Sequence, residues 1–136
     1  MSKIRPELST KNKYWISKHR YYELKYFCLQ YDEMKKMYYK MDDTSLPSVV
    51  NGGCISNTIL NPTEDIAIIK TMCSERMKMI EDTARETDHE LYEYIFKAVT
   101  QDLSYSYLRG VLNIPCSRGT YYDRYRKFFW LLSKKR

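Results

Sequence analysis

Residues 104–136 read SYSYLRGVLNIPCSRGTYYDRYRKFFWLLSKKR. The apolar spacing predicts a short amphipathic helix from about Ser104 to Leu112, then the connector Asn113-Ile114-Pro115-Cys116. Ser117 offers a hydroxyl cap to a second helix that runs to about Leu132. Pro115 stands where a turn between two helices more often has Gly. Its ring ends the first helix without calling for a left-handed residue. A helix, a tight turn and a second helix opened by a hydroxyl residue follow the helix-turn-helix plan.

Upstream, the same helical period recurs. Residues 1–16 form a polar, basic arm, and Ser17 opens a helix expected to continue to about Met41. Its stripe of Tyr21, Leu24, Cys28, Tyr31 and Tyr38 is widened by Phe27, Met34 and Met41, long enough to line a bundle or to pair with a second copy. Residues 42–61, DDTSLPSVVNGGCISNTILN, hold Pro47, Gly52 and Gly53 and read as a connector rather than a helix. Asn61-Pro62-Thr63-Glu64 then combines a cap, Pro at the first helical position and Glu three beyond the cap, which starts a helix. Ile66, Ile69, Cys73, Met77, Ile80 and Ala84 form its inward stripe, facing the first helix. A further helix is expected over Asp88–Val99, carrying Leu91, Tyr92, Ile95, Phe96 and Val99 at helical spacing. The expected fold is all-α: a small helical bundle with a C-terminal helix-turn-helix. Residues 1–99 are expected to form a helical scaffold and oligomerisation region, and residues 100–136 the helix-turn-helix region.

Charge separates the same two regions. The last 37 residues hold eight Lys or Arg against two Asp, so the net +6 of the chain lies in this block alone. A single-sign surface on one helix pair suits a polyanion, and in a helix-turn-helix the second helix enters the major groove of double-stranded DNA. In that helix Tyr121, Tyr125, Phe128 and Leu132 make a packing stripe with Phe129 beside it. Arg118, Tyr122 and Arg126 are placed on the other side as base contacts: Arg donates two bonds to guanine, and Tyr122 packs on a thymine methyl. Gly119 lets the helix come close to a groove. Arg124, Lys127, Lys134, Lys135 and Arg136 are assigned to phosphate, which raises affinity without choosing a sequence. Lys3, Arg5, Lys11, Lys13, Lys18 and Arg20 of the N-terminal arm add further phosphate contacts.

The stretch LNIPCSRGTYYDRYRKFFWLLSKKR resembles the C-terminal region of small phage-encoded transcription regulators of the RinA and ArpU type. That resemblance covers about 30 residues closely. It implies a helix-turn-helix similar to region 4 of sigma factors, preceded by a short helical region, in a DNA-binding regulator of late or packaging genes that has no catalytic residues. Matched by motif, Leu108 and Leu112 sit in the first helix of the pair and Ile114 in the turn. Ser117, Arg118 and Thr120 open the second helix, and Arg124 to Phe129 supply basic contacts and the return to the core. Pro115, Gly119 and the segment around Gly52 and Gly53 depart from the family pattern.

Two other functions fit the charge and the resemblance: a protein-directed inhibitor of a host defence nuclease, and a small terminase-like DNA-packaging protein. A homodimer is expected for the regulator, with its two copies setting the spacing of two half-sites, and a host or phage protein is a further candidate partner. No run approaches the roughly 20 apolar residues of a membrane span, and the first residues lack a secretory apolar core. The expected location is the cytoplasm, that of the host if the chain is phage-encoded. Cys28, Cys54, Cys73 and Cys116 are far apart and form no CxxC pair, so free thiols and no bound metal are expected. His19 and His89 have no ligand-spaced partners, and no Gly-rich phosphate loop occurs. Neither an enzyme nor a cofactor is indicated.

Overall fold

The computed structural model describes residues 12–42 and 62–136, with side chains for 12–40 and 65–136. Their fold is an all-α small helical bundle. The described residues hold six helices: α1 (Lys18–Leu29), α2 (Tyr31–Asp42), α3 (Pro62–Thr87), α4 (Tyr92–Gln101), α5 (Tyr105–Gly110) and α6 (Arg118–Lys135). There is no strand among the described residues. Of the connector expected over 42–61, Asp42 instead ends α2, and the rest, with Cys54 and the Asn61 cap, lies outside the described residues, as do Lys3, Arg5 and Lys11.

Ser17 caps α1 by accepting the Arg20 N–H at 3.4 Å. The single helix expected over 17–41 is divided at Gln30. The Gln30 N–H returns to the Phe27 carbonyl at 3.2 Å, a three-residue step that tightens the last turn of α1. Neither Pro nor Gly marks the division. α4 also starts later than expected. The Asp88 carboxylate accepts the N–H groups of Glu90 and Leu91 at 2.8 and 2.9 Å, so residues 89–91 form a turn and the helix begins at Tyr92. At its other end Asp102 takes a left-handed φ of 57°, and the N–H groups of Asp102 and Leu103 both return to the Ala98 carbonyl.

The described residues form two compact units, one of residues 12–30 and 79–136 and one of 31–42 and 62–78. In the first, α1 packs on α4 and α6, and α4 packs on α6. Its core takes Tyr21, Leu24, Phe27 and Cys28 from α1, Ile80 and Ala84 from α3, Leu91, Ile95 and Val99 around α4, and Tyr121, Phe128, Phe129 and Leu132 from α6. Tyr21 joins two of these helices: its hydroxyl shares a hydrogen bond with that of Tyr125 at 2.7 Å, and its ring meets Phe129 edge-on at 5.2 Å. Burial, then the neighbouring Tyr21, pushes the Tyr125 hydroxyl well above the ordinary tyrosine range. Thr83 and Thr87 are buried, and their hydroxyls donate to the carbonyls four residues back at 2.6 and 2.7 Å, which satisfies them within α3.

In the second unit Met34 and Cys73 are buried, and the Cys73 thiol donates to the Met37 thioether at 3.8 Å. Lys70 lies over the Tyr38 ring at 4.9 Å. Cys28, Cys73 and Cys116 are free thiols. Among the described residues no helix is long and apolar enough to cross a membrane.

Candidate nucleic-acid interface

The turn between α5 and α6 is fixed by backbone and side-chain bonds on both sides. Ser104 caps α5 by accepting the Tyr107 N–H at 3.1 Å. After α5 the chain turns at Asn113, whose φ of 55° is left-handed. The turn therefore does contain the left-handed residue that Pro115 was expected to make unnecessary. Asn fills it because its short polar side chain tolerates that region better than most L-residues. The Ile114 N–H then reaches back to the Leu108 carbonyl at 3.0 Å, and the Ile114 side chain is fully buried. The Tyr105 hydroxyl donates to the Cys116 carbonyl at 2.7 Å and ties the end of the turn to the start of α5. Ser117 caps α6, its hydroxyl oxygen accepting the Thr120 N–H at 3.2 Å.

The faces of α6 differ in part from the sequence expectation. Tyr121, Phe128, Phe129 and Leu132 are buried and Tyr125 is half-buried, so the packing stripe is where the spacing put it. Burial pushes the Tyr121 hydroxyl far above its ordinary value. Tyr122, however, does not lie across the helix from that stripe. Its ring stands 5.0 Å from Tyr121, 6.2 Å from Tyr125 and 6.3 Å from Tyr105. At about 100° per residue, Tyr122 follows Tyr121 around the helix and stays on the flank of the core. The exposed first turn of α6 is Arg118, Gly119 and Thr120. A methyl group added at Gly119 would meet nothing within 4 Å, so packing inside the chain places no demand for glycine there.

Arg118 is exposed, yet it is held. Its guanidinium lies over the Tyr105 ring at 5.1 Å and the Tyr122 ring at 5.9 Å. Arg126, the other expected base contact, is half-buried. The five expected phosphate contacts are in several different surroundings. Arg124 donates to Asp88 at 2.9 Å and is also paired with its neighbour Asp123. Lys135 is paired with Glu86 at 2.8 Å. Lys134 lies over the Trp130 ring and Arg136 over the Phe27 ring, each at 4.1 Å. Lys127 lines an open cleft of about 550 Å³ with Glu86, Thr87, Asp88, His89, Glu90 and Arg124.

An acidic strip at the end of α3 and the turn after it thus faces one flank of α6. Burial alone would raise the Asp88 carboxyl, but the Leu91 N–H, Arg124 and the Glu90 N–H outweigh it and hold the group below the ordinary carboxylate range. The same bond to Asp88 raises Arg124. Sequence reading missed this strip because its partners are 36 and 49 residues away. The alternating acids of ETDHE, residues 86–90, are the only local trace of it.

Of the two histidines, both His19 and His89 are exposed. Among the described residues no group of His, Cys, Asp and Glu is arranged to hold a metal ion. Neither a protein-family model, nor a curated protein, nor a solved structure matches this chain.

Proposed function

We propose that the chain binds double-stranded DNA through α5, the turn and α6, with α5–turn–α6 acting as a helix-turn-helix and the first turn of α6 entering the major groove. The observation that carries this reading is Arg118: an exposed guanidinium at the capped start of a helix, steadied by two tyrosine rings, in the block that holds the chain's net positive charge. Backbone N–H groups at such a helix start also favour an anion. Arg126 is kept as a proposed base contact beside Arg118, and Lys127, Lys134 and Arg136 are the proposed phosphate contacts. Arg124 and Lys135 are ranked below them because carboxylates already hold them. The resemblance to phage regulators makes transcription control the biological setting of this reading, with a cytoplasmic location.

A homodimer is part of the same proposal. The α1 part of the long stripe is covered within the chain, since Tyr21, Leu24, Phe27 and Cys28 are buried. The second unit offers the surface instead, with Met37, Tyr39, Ile68 and Met72 exposed.

A protein-directed function is the second reading, and a specific feature favours it. Tyr107 and Val111, four residues apart at α5, are 45% and 57% exposed, an apolar pair suited to a protein partner. Fluorescence anisotropy against duplex fragments of the source genome, with salt titrated and random-sequence competitor present, decides between them. Retention of selected fragments is the expected result. Binding that is absent, or lost equally to random duplex, transfers the function to a protein partner.

A further inference from the structure

Tyr105 has two jobs in one side chain. Its hydroxyl donates to the Cys116 carbonyl at 2.7 Å, and its ring lies 5.1 Å from the Arg118 guanidinium. The ring is itself fixed, being buried against Tyr121 at 5.6 Å and near Tyr122 at 6.3 Å. Tyr122 adds a second ring 5.9 Å from the same guanidinium. The local sequence makes this possible. Ser104 caps α5 and puts Tyr105 at its first position, while Ser117 caps α6 and puts Arg118 at its first position.

The Arg118 guanidinium carbon lies over both rings, a cation–π contact that uses no oxygen or nitrogen acceptor. That contact leaves the N–H donors of the planar group for an acceptor with two oxygen or nitrogen atoms side by side. It also removes much of the side-chain freedom that an exposed Arg would otherwise lose on binding.

We propose that Tyr105 is a positioning residue which, with Tyr122, holds the edge of Arg118 outward for bidentate recognition of an acceptor on duplex DNA. The inference rests on the duplex-binding reading above. Two acceptors share the required chemistry, the O6/N7 edge of guanine and a backbone phosphate.

The test uses the full chain and a fluorescent duplex enriched by that chain from a random pool, followed by anisotropy over a salt series. The same duplex made with 7-deazaguanine removes the N7 acceptor. Arg118→Ala and Tyr105→Leu are each expected to weaken binding by about tenfold, while Tyr105→Phe, which keeps the ring and loses the hydroxyl, stays close to the unaltered chain. With guanine as the acceptor, 7-deazaguanine weakens the unaltered chain and Tyr105→Phe but not Arg118→Ala or Tyr105→Leu. With phosphate as the acceptor, the 7-deazaguanine effect is absent, and both of those variants lose about one unit of salt slope.

Helicity by circular dichroism checks the fold of each variant. Should Tyr105→Leu lose helix, Tyr122→Leu makes the comparison from a half-buried position. Tyr105→Leu or Tyr122→Leu binding like the unaltered chain while Arg118→Ala loses affinity overturns the positioning role. So does Tyr105→Phe falling as far as Tyr105→Leu, which would assign the effect to the bond with Cys116. Failure of the unaltered chain to enrich any duplex overturns the duplex-binding reading, and this inference with it.

Discussion

Asp88 gathers two backbone N–H groups and the Arg124 guanidinium on one carboxylate, and so links the start of α4 to α6. Replacing it by Asn keeps much of the capping and removes the charge. With the Arg124 side chain 34% exposed and therefore screened, the expected cost at neutral pH is about 1 kcal/mol, read as a shift in the urea midpoint. The acid dependence has a definite sign. Because the folded state holds Asp88 below the ordinary carboxylate value, its contribution is full above about pH 3.9 and is lost as pH falls through the lowered folded value. Asp88→Asn should therefore unfold less steeply in acid, its stability converging with that of the unaltered chain as pH drops. Equal acid slopes for the two would show that the Leu91 and Glu90 N–H groups and Arg124 together do not hold Asp88 below the ordinary carboxylate value in solution.

At the scale of elements, the joint between α5 and α6 depends on two residues with different local reasons. Asn113 occupies a left-handed φ, so Asn113→Ala should cost about 1 kcal/mol, whereas Asn113→Gly should be close to neutral. Thermal unfolding of the pair is the measurement, and equal losses would mean that the Asn side chain matters rather than its backbone angle. Ser117 was legible in advance because a hydroxyl before a helical stripe is a local signal, and its cap bond to Thr120 is made within three residues. The left-handed Asn113 was not, because Pro115 offered a sufficient local reason to end α5 and masked the need for a second device. The division at Gln30 was not legible either. The apolar pattern continues through it, from Leu24, Phe27 and Cys28 to the buried Met34, with no breaking residue. Tyr122 was misplaced for a simpler reason: a residue next in sequence to a core position lies only about 100° around the helix, where a large ring still reaches the core.

Across the whole molecule, the sequence locates the positive charge but not where that charge is neutralised. Counted by residue, α6 carries six Lys or Arg against the single acid Asp123; folded, one flank of it meets Glu86, Asp88 and Glu90, which come from a region of balanced charge. Such pairing is set by tertiary packing: the ETDHE stretch shows the acids but not the helix they meet. It has a consequence for a polyanion partner. The Glu86 side chain is 54% exposed, and its bond to Lys135 is a surface pair worth less than about 1 kcal/mol. Glu86→Gln should leave the unfolding temperature nearly unchanged while it releases Lys135 and removes a carboxylate that repels phosphate. If the duplex runs along α6 far enough to reach its last turn, binding at low salt tightens and the salt slope steepens by about one unit. An unchanged slope would confine the contact to the N-terminal part of α6, around Arg118, and would make the Lys134-Lys135-Arg136 tail a structural end rather than part of the interface.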